Sequence, residues 1–185
     1  MTPRRVAVLV GSLRRDSLSR KVARALMALA PATLVLELID IAALGFYNED
    51  EEDSPPAAWT AFRERLRPFE AVLFVTPEYN RGLPAVLKNA VDVGSRPREH
   101  SVWGGKPGAV VSISPGPLGG FSANQHLRQS LSVLNVPLMP QPELYLGQAA
   151  ALFDAEGRLA SESVRLLFTQ FLTRFAAWTD ANRPR

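Results

Sequence analysis

Apolar residues along this chain fall into short runs separated by longer stretches of helical periodicity. Compact, β-branched runs stand at residues 6–10 (VAVLV), 33–38, 71–75 (AVLFV) and 108–113, with a weaker one, broken by prolines, over 136–146. Between them, apolar positions recur every three to four residues over 17–29, 57–66, 84–93 and 121–134, and again over 161–178. The first pattern predicts five strands and the second five helices. Continuous apolar strands alternating with helices predict a parallel sheet buried on both faces, a three-layer α/β sandwich. Pro137, Pro140 and Pro142 place the fifth strand at an edge, because proline has no N–H to give to a ladder.

Length and composition narrow this further. A chain of 185 residues, 46% hydrophobic and without a repeat or an evident linker, is expected to form a single domain over residues 1–185. Its apolar runs are too short to cross a bilayer and its first residues lack a secretory signal, so a cytoplasmic location with no membrane is expected. There is no cysteine, which excludes disulfides, thiolate nucleophiles and Cys-ligated metals; redox chemistry would have to come from a bound cofactor. The net charge of +3 rests on 18 Arg and 3 Lys among 21 basic residues, spread without a long basic run. That balance suits an anionic small molecule or a merely solvated surface, and does not indicate nucleic acid. His100 and His126 alone make no metal site.

In a five-stranded sheet of this class, of order 2-1-3-4-5, ligands bind beyond the carboxyl ends of strands one and three, where the winding reverses. The loops after strands one, three and four therefore carry the chemistry. The first, GSLRRDSLSR (11–20), sets the hydroxyls of Ser12, Ser17 and Ser19 and the guanidinium of Arg14 at a helix N-terminus, a donor set for a phosphate dianion. It is neither a Walker loop nor a Gly-x-Gly-x-x-Gly turn. Helix capping by Ser17 or Asp16, with the arginines solvated, is the other reading of the same residues. The second, TPEYNRGLP (76–84), is stiffened by Pro77, Gly82 and Pro84 and displays Glu78, Tyr79 and Asn80, suited to a planar heterocycle or to an ordinary connection into a helix. The third, SPGPLGG (114–120), offers the backbone N–H groups of Gly116, Leu118, Gly119 and Gly120, since Pro115 and Pro117 have none.

GSLRRDSLSR and TPEYNRGLPAVLKNAVD, about 60 residues apart, resemble the two signature loops of the NADPH-dependent FMN reductase family, and the likeness extends over most of the chain. FYNEDEE after strand two and SPGPLGGFSANQHLRQSL after strand four are similar to family segments too. The resemblance implies a flavodoxin-like fold holding FMN noncovalently, with hydride passing from NADPH or NADH through FMN to a quinone, free flavin or other small-molecule electron acceptor. By motif it implies that Ser12, Arg14, Ser17 and Ser19 hold the FMN phosphate. Pro77, Glu78, Tyr79 and Asn80 would line the isoalloxazine, largely through backbone groups, and Ser114, Gly116, Gly119 and Gly120 its pyrimidine side. It further implies a homodimer or homotetramer, in which the acidic 48–53 loop can approach a neighbouring subunit. Ser19, Ala85 and Val93 depart from the family's common Asn, Gly and Trp. Hydride transfer needs no acid–base residue, so no side chain is assigned a catalytic role, and Glu78 is read as either solvated or paired, with Arg81 as a candidate partner. An FMN electron carrier or a flavin-sensing regulator on the same fold is the alternative; a receiver domain would want an Asp at the end of strand three, where this chain has Val75 and Thr76.

Overall fold

In the computed structural model, which describes residues 2–183, five parallel strands stand in the order β2-β1-β3-β4-β5. They are β1 (Arg4–Val10), β2 (Leu34–Ile39), β3 (Ala71–Pro77), β4 (Gly108–Ile113) and β5 (Leu144–Leu146). Five α-helices connect or follow them: α1 (Leu18–Ala28), α2 (Ala57–Leu66), α3 (Ala85–Gly94), α4 (Phe121–Ser132) and α5 (Glu162–Ala181). The alternation of side chains along each strand divides the interior into two cores. Val6, Val8 and Val10 face one side with Leu73, Val75 and Ile113, against Val22 and Leu26 of α1 and Phe168, Phe171 and Phe175 of α5. Ala7, Leu9, Val72 and Phe74 face the other, against Trp59 of α2, Leu87 and Val91 of α3 and Leu127 of α4. Trp103 belongs to this second core: it is fully buried, donates its indole N–H to the Val91 carbonyl at 2.8 Å and fills the space left by Gly94.

The expected elements are present, with boundary changes that have local causes. Ser17 and Ser161, expected inside helices, stand one residue before α1 and α5 and cap them, their hydroxyls accepting from Arg20 N and Val164 N at 3.3 Å each. The fifth strand is shorter than expected. Leu138 makes an isolated bridge to Gly108, then Pro140 and Pro142 interrupt the ladder, and regular pairing resumes only at Leu144. Buckling the edge in this way leaves β5 short and places the chain after it beneath the loop that follows β4.

Candidate functional site

Three loops meet at the carboxyl end of the sheet around a cavity of about 160 Å³, lined by Ser12, Arg14, Ser17, Ser19, Pro77, Glu78, Tyr79 and Ser114, together with Leu18, Ile113 and Pro115. Each is delivered by its own strand: β1 ends at Val10, β3 at Pro77 and β4 at Ile113, side by side in the sheet. Gly11 turns the first loop away from β1, but with no left-handed φ. Its missing side chain matters for close packing instead, since a Cβ there would lie 3.1 Å from both Leu87 and Pro77.

Ser12 and Ser19 are buried residues, at 4% and 2% exposure, and neither hydroxyl makes a hydrogen bond to another described residue. Both keep an opening onto the cavity, whereas the one fully enclosed side-chain polar atom without a partner among the described residues is the Tyr47 hydroxyl. Hydroxyls opening onto a cavity are free to be met by water or by a ligand there. They border the first turn of α1, where the amides of Leu18 and Ser19 have no intrahelical carbonyl to pair with. Ser17 caps the helix, and the cap does not use up its hydroxyl: its oxygen accepts from Arg20 N, and its hydroxyl proton is left to donate. Arg14 is exposed at the mouth and joins no ion pair among the described residues, while Asp16 does not cap the helix. Unmet hydroxyl donors, free amides and an unpaired guanidinium around one small cavity fit a phosphate dianion.

The second loop is a two-residue hairpin. Tyr79 and Gly82 exchange both backbone hydrogen bonds, at 3.0 and 2.8 Å, and the residues at the tip, Asn80 and Arg81, are both left-handed with φ of 50° and 63°. That is the type I′ turn, unfavourable for a residue such as Arg and sustained only where its surroundings hold it. It leaves Tyr79 half-exposed on the rim. The Glu78 carboxylate is turned inward and paired rather than solvated: one oxygen accepts from Arg81 Nη1 at 3.3 Å, and the other from the backbone N–H of Ala123 in α4 at 3.1 Å.

The third loop is held from below. Ser114 N donates to Leu146 O, Ser114 Oγ to Gly116 O, and Gln148 N to Gly116 O, at 2.9–3.0 Å. Gly119 and Gly120 are left-handed, with φ of 61° and 74°, and a Cβ on Gly119 would fall 2.5 Å from the Tyr145 carbonyl carbon. Gly119 is thus required by its close approach to β5, and Gly120 by its close approach to Ile113 at the end of β4, whatever the loop binds. Ser114 reaches the cavity; Asn80, Gly116, Gly119 and Gly120 border its surroundings without lining it.

The residues missed from sequence lie behind the third loop. Tyr145 accepts from Gln125 Nε2 at 2.8 Å and meets the exposed ring of Phe121 edge-on, with centroids 5.3 Å apart. Burial, then the neighbouring Glu143 carboxylate, push its phenol up to about 12, so it stays neutral. Side chains separated by 20 residues and a helix carry no spacing signal. The loop after β2 is pinned as well. Asn89 of α3 accepts from Tyr47 N at 2.8 Å and donates to Gly45 O, and Glu52 of the acidic segment pairs with buried Arg63 at 2.8 Å, while Glu49 to Glu51 are solvated. Lys88 pairs with Asp92 within α3, so neither Lys88 nor Asn89 is directed at the cavity.

Residues 4–151 match the family model of NADPH-dependent FMN reductases. A quinone reductase of Pseudomonas putida is 55% identical over 179 residues, covering 96% of each chain. A 2-hydroxy-1,4-benzoquinone reductase of a Burkholderia species is 42% identical, covering 97% of this chain and 98% of its own. Among solved structures, FerB, a flavoenzyme NAD(P)H:(acceptor) oxidoreductase of Paracoccus denitrificans, superimposes with a TM-score of 0.90 at 36% identity, over 98% of this chain and all of its own.

Proposed function

The chain belongs to the NADPH-dependent FMN reductase family, and from that premise we propose that it is an FMN-dependent oxidoreductase that oxidises NADPH or NADH and reduces a quinone. FMN, when bound, supplies the chemistry, taking hydride from the nicotinamide and releasing the electrons to the acceptor. The chain's own residues bind and orient. The observation that carries the reading is the pair of hydroxyls, on the buried residues Ser12 and Ser19, that open onto the cavity without a protein partner beside Ser17, Arg14 and the first amides of α1. That donor set holds the phosphate. Pro77, Glu78, Tyr79 and Asn80 form one wall of the ring site, and Ser114, Gly116, Gly119 and Gly120 the other, through backbone groups whose loop is fixed before any ligand arrives.

The acceptor is inferred from the relatives and from the rim. Leu13, Tyr79, Leu118 and Phe121, one or more from each loop, are each about half-exposed, offering apolar and aromatic surface to a flat molecule. We assign no side chain an acid or base role, since hydride transfer depends on alignment. We read residues 1–185 as one FMN-binding domain, since both cores flank one sheet. The same reading makes it a cytoplasmic homo-oligomer, with Phe46, exposed to 81% on the loop after β2, as apolar surface for a second copy to cover. No described helix is long and apolar enough to cross a membrane.

The test is the visible spectrum of protein incubated with FMN, desalted, and mixed anaerobically with NADPH or NADH and then with benzoquinone. Retained flavin bands that bleach with a dinucleotide and return with the quinone are expected. Flavin that is retained but bleached by neither donor would mean an electron carrier or sensor; protein that retains none would overturn the assignment of all three loops.

A further inference from the structure

Helix α4 begins where it cannot cap itself. Gly120 occupies the N-cap with φ of 74°, and a Cβ there would come 3.0 Å from the Ile113 carbonyl oxygen. The Ser, Thr or Asp that ordinarily satisfies the first amides of a helix is therefore unfavourable at this position. The cap comes instead from 45 residues earlier in the chain: Glu78 Oε2 accepts the Ala123 N–H at 3.1 Å. The other oxygen meets Arg81 Nη1 at 3.3 Å, and Arg81 is held there by the left-handed turn at the hairpin tip. The Glu78 side chain is only 10% exposed, so this contact is shielded from water.

We infer that Glu78 is a positioning residue: its carboxylate ties the tip of the second loop to the start of α4, and so fixes the spacing between the two loops that flank the cofactor. This rests on the flavin reading of the site. Two features of the geometry favour it. The contact is charge-assisted at a helix N-terminus, the place where a carboxylate is most stabilised by the backbone. The same contact and Arg81 balance the negative charge of Glu78, which lines the cavity that also holds Ser12 and Ser19 and would otherwise oppose a phosphate there. The left-handed conformation of Arg81 also gains a purpose, since it brings the guanidinium to Glu78.

The experiment compares Glu78→Ala, Glu78→Gln and Arg81→Ala by two readouts. One is amide exchange over residues 114–126 in flavin-free protein, and the other FMN affinity by fluorescence titration. Loss of a cap worth about 1 kcal/mol predicts that Glu78→Ala speeds exchange at Ala123 and raises the FMN dissociation constant, each about fivefold. Glu78→Gln, which keeps an acceptor oxygen, is expected to restore both to within about twofold of the parent. Arg81→Ala leaves the Ala123 contact intact and is expected to spare its exchange, which keeps the test open should Glu78→Ala not fold. Unchanged exchange with FMN weakened equally by Ala and Gln would overturn the inference, because the carboxylate would then act on the ligand itself. Unchanged values of both readouts would overturn it as well. If exchange responds as expected but even the parent protein binds no FMN, the tie between the loops stands and the flavin reading fails.

Discussion

The two ends of the sheet are built on opposite rules. At the amino end polar groups are met. Arg4 pairs with Glu70 at 2.6 Å and Asp180 at 3.3 Å, and Arg5 and Arg65 share Glu37 while stacking on Phe69. Lys106 donates to the carbonyls of Leu66, Arg67 and Phe69 at 3.3, 3.1 and 2.8 Å, closing the last turn of α2. At the carboxyl end, the hydroxyls of Ser12 and Ser19 open onto a cavity without a protein partner, Arg14 is unpaired among the described residues, Asn80 and Arg81 are left-handed, and Leu13, Tyr79, Leu118 and Phe121 face solvent. One end is organised for stability; the other holds unmet donors and strained backbone in place, the signature of a surface that a ligand completes.

If that division is right, substitutions at the two ends should separate binding from folding. Arg14→Ala is expected to weaken FMN by about 1.5–3 kcal/mol, the worth of a charge-assisted hydrogen bond, while the melting temperature of the flavin-free protein stays unchanged. Fluorescence titration beside thermal unfolding reads both, and unaltered affinity would place the phosphate elsewhere. Lys106→Met should do the converse. Leaving the α2 carbonyls without their donor is expected to cost about 1–3 kcal/mol of folding stability by denaturant titration, with FMN affinity of the folded fraction preserved. A drop in affinity of the same size would blur the distinction between the ends.

Ser19→Ala sharpens it further. Because the hydroxyl lacks a partner, its removal is expected to leave the flavin-free protein as stable or slightly more so, yet to weaken FMN by about 0.5–1.5 kcal/mol. Lower stability without FMN would show that the hydroxyl is already satisfied inside the fold. The smallest effect is the pH response of Glu37, whose carboxyl is held below its usual range by hydrogen bonds from Arg65 and then Arg5. A depressed folded-state value means that its contribution is present above the unfolded carboxylate range and is lost as pH falls through the folded value. Because the groups are partly exposed, that contribution is only a few tenths of a kcal/mol. Melting curves from pH 7 down to 3 should therefore fall slightly less for Glu37→Gln than for the parent, and parallel curves would show that the pair adds nothing.

The loops were legible because their residues carry local signals. Ser12, Ser17 and Ser19 lie within eight positions at the start of a helical pattern, and Pro77 and Pro84 bracket a short displayed segment. Other features had no such signal. Glu78 as the cap of α4 depends on a contact across 45 residues, and Gly119 reads in sequence like any flexible turn until β5 is seen beneath it. The edge strand was placed correctly by its prolines but drawn too long, because apolar spacing cannot show where pairing lapses.

The sequence by itself determined the alternation of strands and helices, their parallel arrangement and the three loops that meet at one cavity. Hydrophobic period, turn residues and helix-start residues act over a few positions and can be read along the chain. Only the tertiary structure decided which hydroxyls remain unmet, which carboxylate closes which helix and which glycines are demanded by packing. Those outcomes depend on what the fold places within about 3 Å, a hydrogen-bond length, of each group.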